Sequence, residues 1–283
     1  NSPYGEALIG FAGEAVSHFD LDGIWFDGSA FTQIWDRPVP LSCRCRWCQE
    51  KFHRDTGLAF PKEKDWNNPN FRAWVAWRFE MFGNFWARLA DAVHTAKPGA
   101  TVVVNHYHRP HIPWQSAVPL NPFAADIITG SEAGTNLLLS AFTTRLCRAY
   151  GRSRTEVWTP VYQSPQEASR LVQHSLACIT AGGMPSFGSS EPPEAIAPTL
   201  RQVAEVLRNR APFVMDGNKS LPYLVLHVSQ QSETFFFGRG PDGAGAVGAK
   251  DWYWRSLMGW HEMLMQAQLP MDFIFDAHLT DEE

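Results

Sequence analysis

The chain has 283 residues, of which 45% are hydrophobic, and its formal net charge is -5 at pH 7. This length accommodates one large domain, or parts of two domains. The mildly negative charge argues against a surface for nucleic acid or another polyanion. No apolar run approaches the roughly 20 residues that a membrane-spanning helix needs.

Short apolar strands alternate with amphipathic helices along the first 216 residues, and each strand ends in polar or acidic residues. This pattern is typical of α/β proteins with parallel strands. The predicted strands cover 24–27, 101–105, 126–129, 156–160 and 184–187, and the predicted helices cover 3–18, 46–56, 68–96, 137–150, 166–181 and 194–210. Five successive strand–helix units predict a (β/α)8 TIM barrel whose N-terminal strands are absent from this chain, so that strands four to eight are present.

The pattern starts again after Asp216. A buried-strand pattern at 223–229 is followed by a glycine-rich loop, a helix at 252–267 and another strand at 271–275. We therefore expect a catalytic barrel domain over 1–216 and the beginning of a second α/β domain over 217–283.

Three of the five cysteines form the motif Cys43-x-Cys45-x-x-Cys48. An odd number of cysteines, three of them close together, argues against a disulfide framework and for metal ligands or free thiols. The spacing suits three ligands of a tetrahedral, structural zinc ion. The cluster also favours a reducing compartment, and hence a cytoplasmic location.

A fourth zinc ligand is needed, and the sequence leaves its identity open. His53, a segment preceding the sequence, Cys147 or Cys178 could supply it, although the last two fall within predicted helices and are better explained as buried core cysteines. A metal-free cluster is the remaining alternative. No cofactor for catalysis is predicted, because no dinucleotide-binding motif is present.

The segment Leu21-Asp22-Gly23-Ile24-Trp25-Phe26-Asp27-Gly28, together with the cysteine motif, resembles barrel glycoside hydrolases related to the family 42 β-galactosidases and the family 29 α-L-fucosidases. Family 42 enzymes carry a similar zinc-binding cysteine motif, and a flavodoxin-like trimerisation domain follows their barrel. The fucosidases carry a similar strand end, whose aspartate is the nucleophile. The resemblance implies an exo-acting, retaining glycosidase, a carbohydrate substrate, a flavodoxin-like second domain and a homo-oligomer such as a trimer.

The chain departs from family 42 at one decisive position, since Phe26-Asp27 stands where those enzymes have Asn-Glu. The fucosidase layout fits better, because it has an aspartate after the fourth strand and a glutamate after the sixth. The residue of this chain at the second position is Glu132, which follows the sixth strand of the barrel. Glycoside hydrolysis uses one ionised and one protonated carboxyl group. We therefore expect Asp27 to be the nucleophile and Glu132 the acid, with Glu191 as the main rival. A turn aspartate and a solvated loop glutamate are the structural alternatives.

Other polar and aromatic residues at the predicted strand ends are candidates for sugar binding. They are Trp25, Asn105, His106, His108, Trp158, Tyr162 and Glu191. His106 and His108 lie on the same side of their strand, where they could bind sugar hydroxyls or, less well supported, a metal. Two other function classes therefore stay open: a non-catalytic carbohydrate-binding barrel protein and a zinc-dependent hydrolase.

Overall fold

The structure is a computed structural model that describes residues 2–26, 43–63, 65–106, 125–130, 137–151, 154–159, 165–187, 194–214, 221–229, 231–232 and 247–279. Its helices are α1 (Pro3–His18), α2 (Arg46–Thr56), α3 (Pro69–Ala96), α4 (Leu137–Gly151), α5 (Pro165–Thr180), α6 (Ala197–Val214) and α7 (Val247–Gln266). Its strands are β1 (Gly23–Phe26), β2 (Thr101–His106), β3 (Ile127–Gly130), β4 (Arg154–Thr159), β5 (Met184–Phe187), β6 (Leu224–Val228) and β7 (Met271–Phe275). None of the described helices has the length and apolarity that crossing a bilayer requires.

The strands pair in parallel, but they do not form the predicted TIM barrel. β1 pairs with β2, β4 lies between β3 and β5, and β6 pairs with β7. Among the described residues, β1 and β5 each have a strand neighbour on one side only. A closed barrel needs a neighbour on both sides of every strand, so the barrel prediction is wrong. Repeated strand–helix units occur in open sheets as well as in barrels, and the repeat pattern does not report closure.

The chain divides into two compact units. The first consists of Asn1–Asp126, Ser229–Trp254 and Asp276–Glu283, and the second consists of Ile127–Val228 and Arg255–Phe275. The domain boundary predicted after Asp216 lies at a residue outside the described ranges, so the division into domains 1–216 and 217–283 stays a prediction.

In the first unit, α1 packs along α3 through small residues. Ala12, Gly13 and Val16 are buried on α1, and a Cβ added at Gly13 would lie 3.0 Å from the carbonyl oxygen of Ala92 on α3. Glycine therefore sets how closely the two helices approach. α3 begins at Pro69. The side chain of the preceding residue, Asn68, accepts a hydrogen bond from the backbone N–H of Asn70 at 2.9 Å, which is an N-cap arrangement.

In the second unit, α4 packs against β7 through aromatic and charged contacts. Phe142 contacts Phe273 and Tyr150 contacts Phe275, with ring centroids 5.2 Å apart in both pairs. Arg148 forms an ion pair with Asp272 at 2.7 Å, and both side chains are largely buried. A partly buried pair of this kind fixes the position of β7 on α4 more firmly than an exposed pair would.

Candidate functional site

The three cysteines of the motif meet at the N-terminus of α2. Cys45 is the N-cap residue of this helix, with an extended backbone, and its carbonyl oxygen accepts hydrogen bonds from the N–H groups of Cys48 and Gln49 at 3.1 Å each. The helix therefore begins within the motif and turns Cys48 back toward Cys43. At the other end of the helix Gly57 adopts a left-handed backbone, with φ of 71°, which favours glycine.

The thiol geometry suits a metal ion. The Sγ atom of Cys43 lies 3.4 Å from the Sγ atoms of both Cys45 and Cys48, and all three Sγ atoms lie within 4.8 Å of one another. Four thiolates around a tetrahedral zinc ion, with Zn–S bonds of 2.3 Å, are about 3.8 Å apart. All five cysteines are described and none forms a disulfide. The three thiols can thus provide three ligands to one ion.

The start of α2 also favours the thiolate form that metal binding needs. Partial burial by itself raises the pKa of the Cys45 thiol, but hydrogen bonds from the backbone N–H groups of Cys48 and Trp47, and contacts with the neighbouring thiols, lower it overall. N–H groups at a helix N-terminus stabilise negative charge in this way.

The cluster is anchored on an aromatic core between α2 and α3. Cys48 is buried, and it packs with Phe52 and with residues of the first turns of α3, including Phe71, Trp74 and Trp77. The indole N–H of Trp77 donates to Asp55 Oδ2 at 2.9 Å. Loss of order at the thiols should therefore disturb the packing between the two helices.

The fourth ligand is not among the candidates that the structure describes. Within the described residues, the group that could hold a metal contains the three motif cysteines alone. His53 contacts the carbonyl oxygen of Leu58 with its Nδ1 atom at 3.1 Å. Cys147 and Cys178 are fully buried in α4 and α5, and burial raises the pKa of the Cys147 thiol to about 12. Their interpretation as core cysteines is confirmed.

Two of the predicted sugar-binding residues lie on one face at the carboxyl ends of β1 and β2. Trp25 pairs with Val103, and Phe26 pairs with Val104. Phe26 packs on Trp86 of α3, with ring centroids 5.6 Å apart. Because side chains alternate along a strand, Trp25 and Asn105 point to the opposite face. Trp25 is 39% exposed and Asn105 only 2%, so the tryptophan is the more accessible of the two.

The predicted catalytic carboxylates are not tested by this structure. Asp27, Glu132 and Glu191 lie outside the described residues, as do His108 and Tyr162. The backbones of His106 and Trp158 belong to β2 and β4, but their side chains lie outside the described part of the chain. The assigned roles of all seven residues stay predictions, and so does metal binding by the two histidines.

Comparison with known proteins finds similarity in structure. No protein-family model matches the chain, and no curated protein matches it. Its fold is similar to that of a cold-adapted β-galactosidase from Rahnella sp. R3. The TM-score is 0.63 and the sequence identity is 13%, over 97% of this chain and 48% of the β-galactosidase. This chain thus spans about half the length of that enzyme, and at this identity the likeness concerns the fold.

The β-galactosidase likeness agrees with one part of the resemblance deduced from the sequence, whereas the fucosidase part stays a prediction. The sequence reasoning also missed residues that the structure brings together. Asp55 and Trp77 are 22 positions apart, on two different helices. No local spacing pattern could have paired them, because their contact depends on how α2 packs on α3.

Proposed function

We propose that this protein is a glycoside hydrolase that cleaves O-glycosidic bonds of a carbohydrate substrate. The observation that carries the proposal is the similarity of its fold, over 97% of the chain, to a β-galactosidase. The strand-end residues agree with it, since Trp25 offers an accessible aromatic ring and the largely buried amide of Asn105 lies on the same face. Aromatic and amide groups together suit a ligand with apolar C–H faces and polar hydroxyls.

In the proposed reaction, Asp27 acts as nucleophile and Glu132 as acid and then base. The Asp27 carboxylate attacks the anomeric carbon while the bond to the leaving oxygen breaks, and Glu132 gives its proton to that oxygen. Water then attacks the anomeric carbon of the glycosyl-enzyme, Glu132 takes a proton from the water, and Asp27 is released. Two successive displacements retain the anomeric configuration. The alternative, inversion through a single displacement, would require a wider separation of the carboxyl groups.

We propose a structural zinc ion as the ligand of the thiol cluster. The thiolates of Cys43, Cys45 and Cys48 would hold it, together with a fourth ligand that the described residues do not supply. Such an ion would fix the start of α2 and contribute no step of the reaction.

A panel of aryl glycosides tests the proposed reaction, with fucosides, galactosides and arabinosides assayed on the full chain. We expect hydrolysis of one of these classes and its near-complete loss in Asp27→Asn. In Glu132→Gln, we expect kcat to fall by roughly 10²–10⁴-fold, which is typical for loss of a general acid. The loss should be smaller for substrates with good leaving groups, because these need less protonation.

Asp22→Asn is the matched control for Asp27→Asn. Asp22 immediately precedes β1, is exposed and lies 3.8 Å from Lys97, at the opposite end of the strand from Asp27. The control should keep the activity of the parent. An Asp27→Asn variant as active as the parent would show that this aspartate is not the nucleophile. Binding of a glycoside without turnover would favour a carbohydrate-binding protein instead.

A further inference from the structure

A cavity of about 730 Å³ lies in the first unit, beside the middle of α3. Ala73, Ala76 and Met81 of α3 form an apolar wall, and Asp55 lies at the end of α2. Pockets that hold small ligands have volumes of roughly 300–1,000 Å³. None of the described lining residues is among those proposed for the reaction.

Gln231 and Asp276 of the lining are polar and come from the segments that follow β6 and β7. Asp276 Oδ2 accepts a hydrogen bond from the backbone N–H of Gln231 at 2.9 Å. The side chain of Ser229 lies 3.4 Å from the same oxygen. This bonding holds Gln231 and Asp276 together as a polar wall of the cavity. A cavity with one apolar and one polar wall suits a ligand with an apolar face and hydroxyl groups.

The charges of the lining exclude two other ligand classes. Asp55, Glu80 and Asp276 are acidic, and no basic residue is among the described residues of the lining, so an anion would be repelled. The three carboxylates also do not converge as metal ligands would, since the thiol cluster is the sole group of this kind in the described part of the chain.

Two of the three carboxylates already accept hydrogen bonds from the protein. Asp55 receives hydrogen bonds from Lys51 at 2.8 Å and from Trp77 at 2.9 Å. Burial by itself raises its pKa, but these bonds lower it overall, so its charge is retained and compensated. Asp276 also has its own donors. Glu80 is exposed, and no described residue donates to it, so it can accept a hydrogen bond from a ligand hydroxyl.

We propose that this cavity binds a saccharide that carries no acidic group. The apolar wall of α3 would contact the C–H face of a sugar ring, while Glu80 and the side-chain amide of Gln231 would bind its hydroxyls. The site adds a binding function beside the proposed reaction and does not depend on it. With few hydrogen bonds available, we expect a dissociation constant on the order of 1 mM.

Calorimetric titration of the full chain with lactose, digalacturonic acid and putrescine tests this proposal. The decisive variant is Ala76→Phe, which fills the cavity from an exposed position of α3. The matched control is Thr95→Phe, which adds the same ring at an exposed position of α3 that does not line the cavity. Thermal unfolding of both variants checks that the fold is kept.

We expect lactose to bind the parent, and Ala76→Phe to remove one binding event or weaken it at least tenfold. Thr95→Phe should bind as the parent does, and digalacturonic acid should not bind. The proposal is overturned if Ala76→Phe keeps the affinity and stoichiometry of the parent, or if putrescine binds in the cavity and lactose does not. Because Ala76→Phe leaves Asp27 and Glu132 untouched, failure of this proposal leaves the hydrolysis assay unchanged, and the reverse also holds.

Discussion

His261 is a buried histidine that is kept neutral by its surroundings. Its ring stacks on Phe273, with an interplanar angle of 19°, and contacts the edge of Phe142. Its Nε2 atom has no hydrogen-bond partner in the described part of the chain. Burial, and to a lesser extent the positive charge of Arg145, lowers the pKa of His261 to about 4. Protonation of this ring therefore opposes folding.

The stability of the protein should accordingly fall as the pH decreases from about 6.5 to about 4. Below the pKa of an unfolded histidine the unfolded chain binds a proton that the folded chain does not, and the loss of stability amounts to about 3 kcal/mol. In His261→Phe, which keeps an aromatic ring, urea unfolding should show a smaller loss over this range. The exposed His18→Phe should keep the pH dependence of the parent. An unchanged slope in His261→Phe would mean that other groups cause the acid sensitivity.

At the scale of elements, two glycines of α1 provide a matched pair. A Cβ at Gly13 would press on Ala92 O of α3, whereas nothing lies within 4 Å of a Cβ at Gly10. Gly13→Leu should therefore separate the helices and lower the free energy of unfolding by about 2 kcal/mol. Gly10→Leu should raise it by about 0.5 kcal/mol, because leucine favours a helix more than glycine does. Equal effects in denaturant unfolding would show that α1 does not need the close contact.

The sequence predicts the elements well because their signals are local. Apolar residues at helical spacing mark α3, and Asn68-Pro69 marks its beginning. The thiol cluster is predictable for the same reason, because its three cysteines lie within six consecutive residues. The cavity beside α3 was not predicted, since its lining comes from segments as far apart as Asp55 and Asp276.

At the scale of the whole molecule, the sequence pattern does not show whether the parallel sheet closes into a barrel. Parallel strands pair across helices of 11 to 28 residues, so each pairing joins distant segments and depends on packing. The apolar patterns of β1 and β5 predict buried strands. These patterns carry no information on whether a further strand lies beside β1 or β5. The barrel prediction required such strands and was therefore wrong.

The division into two compact units predicts where removal of the proposed zinc ion should act. The thiol cluster packs on α2 and α3 in the first unit, whereas α5 and α6 of the second unit form their own cluster around Leu171 and Val203. Because metal binding contributes directly to the stability of the segments that it joins, chelation should speed amide exchange in 46–56 and in the first turns of α3 by about tenfold or more. Exchange in 170–180 and 197–210 should not change.

Hydrogen exchange followed by mass spectrometry, with and without chelator, measures both units in one experiment. Cys45→Ser is the control, since a variant without the metal should exchange rapidly in α2 from the start and should not respond to the chelator. Metal analysis of the parent should find zinc, and Cys45→Ser should lose it. Faster exchange in both units to the same extent would mean that the metal stabilises the molecule as one cooperative body. An absence of any response would mean that the three thiols, although close enough to share an ion, do not hold one.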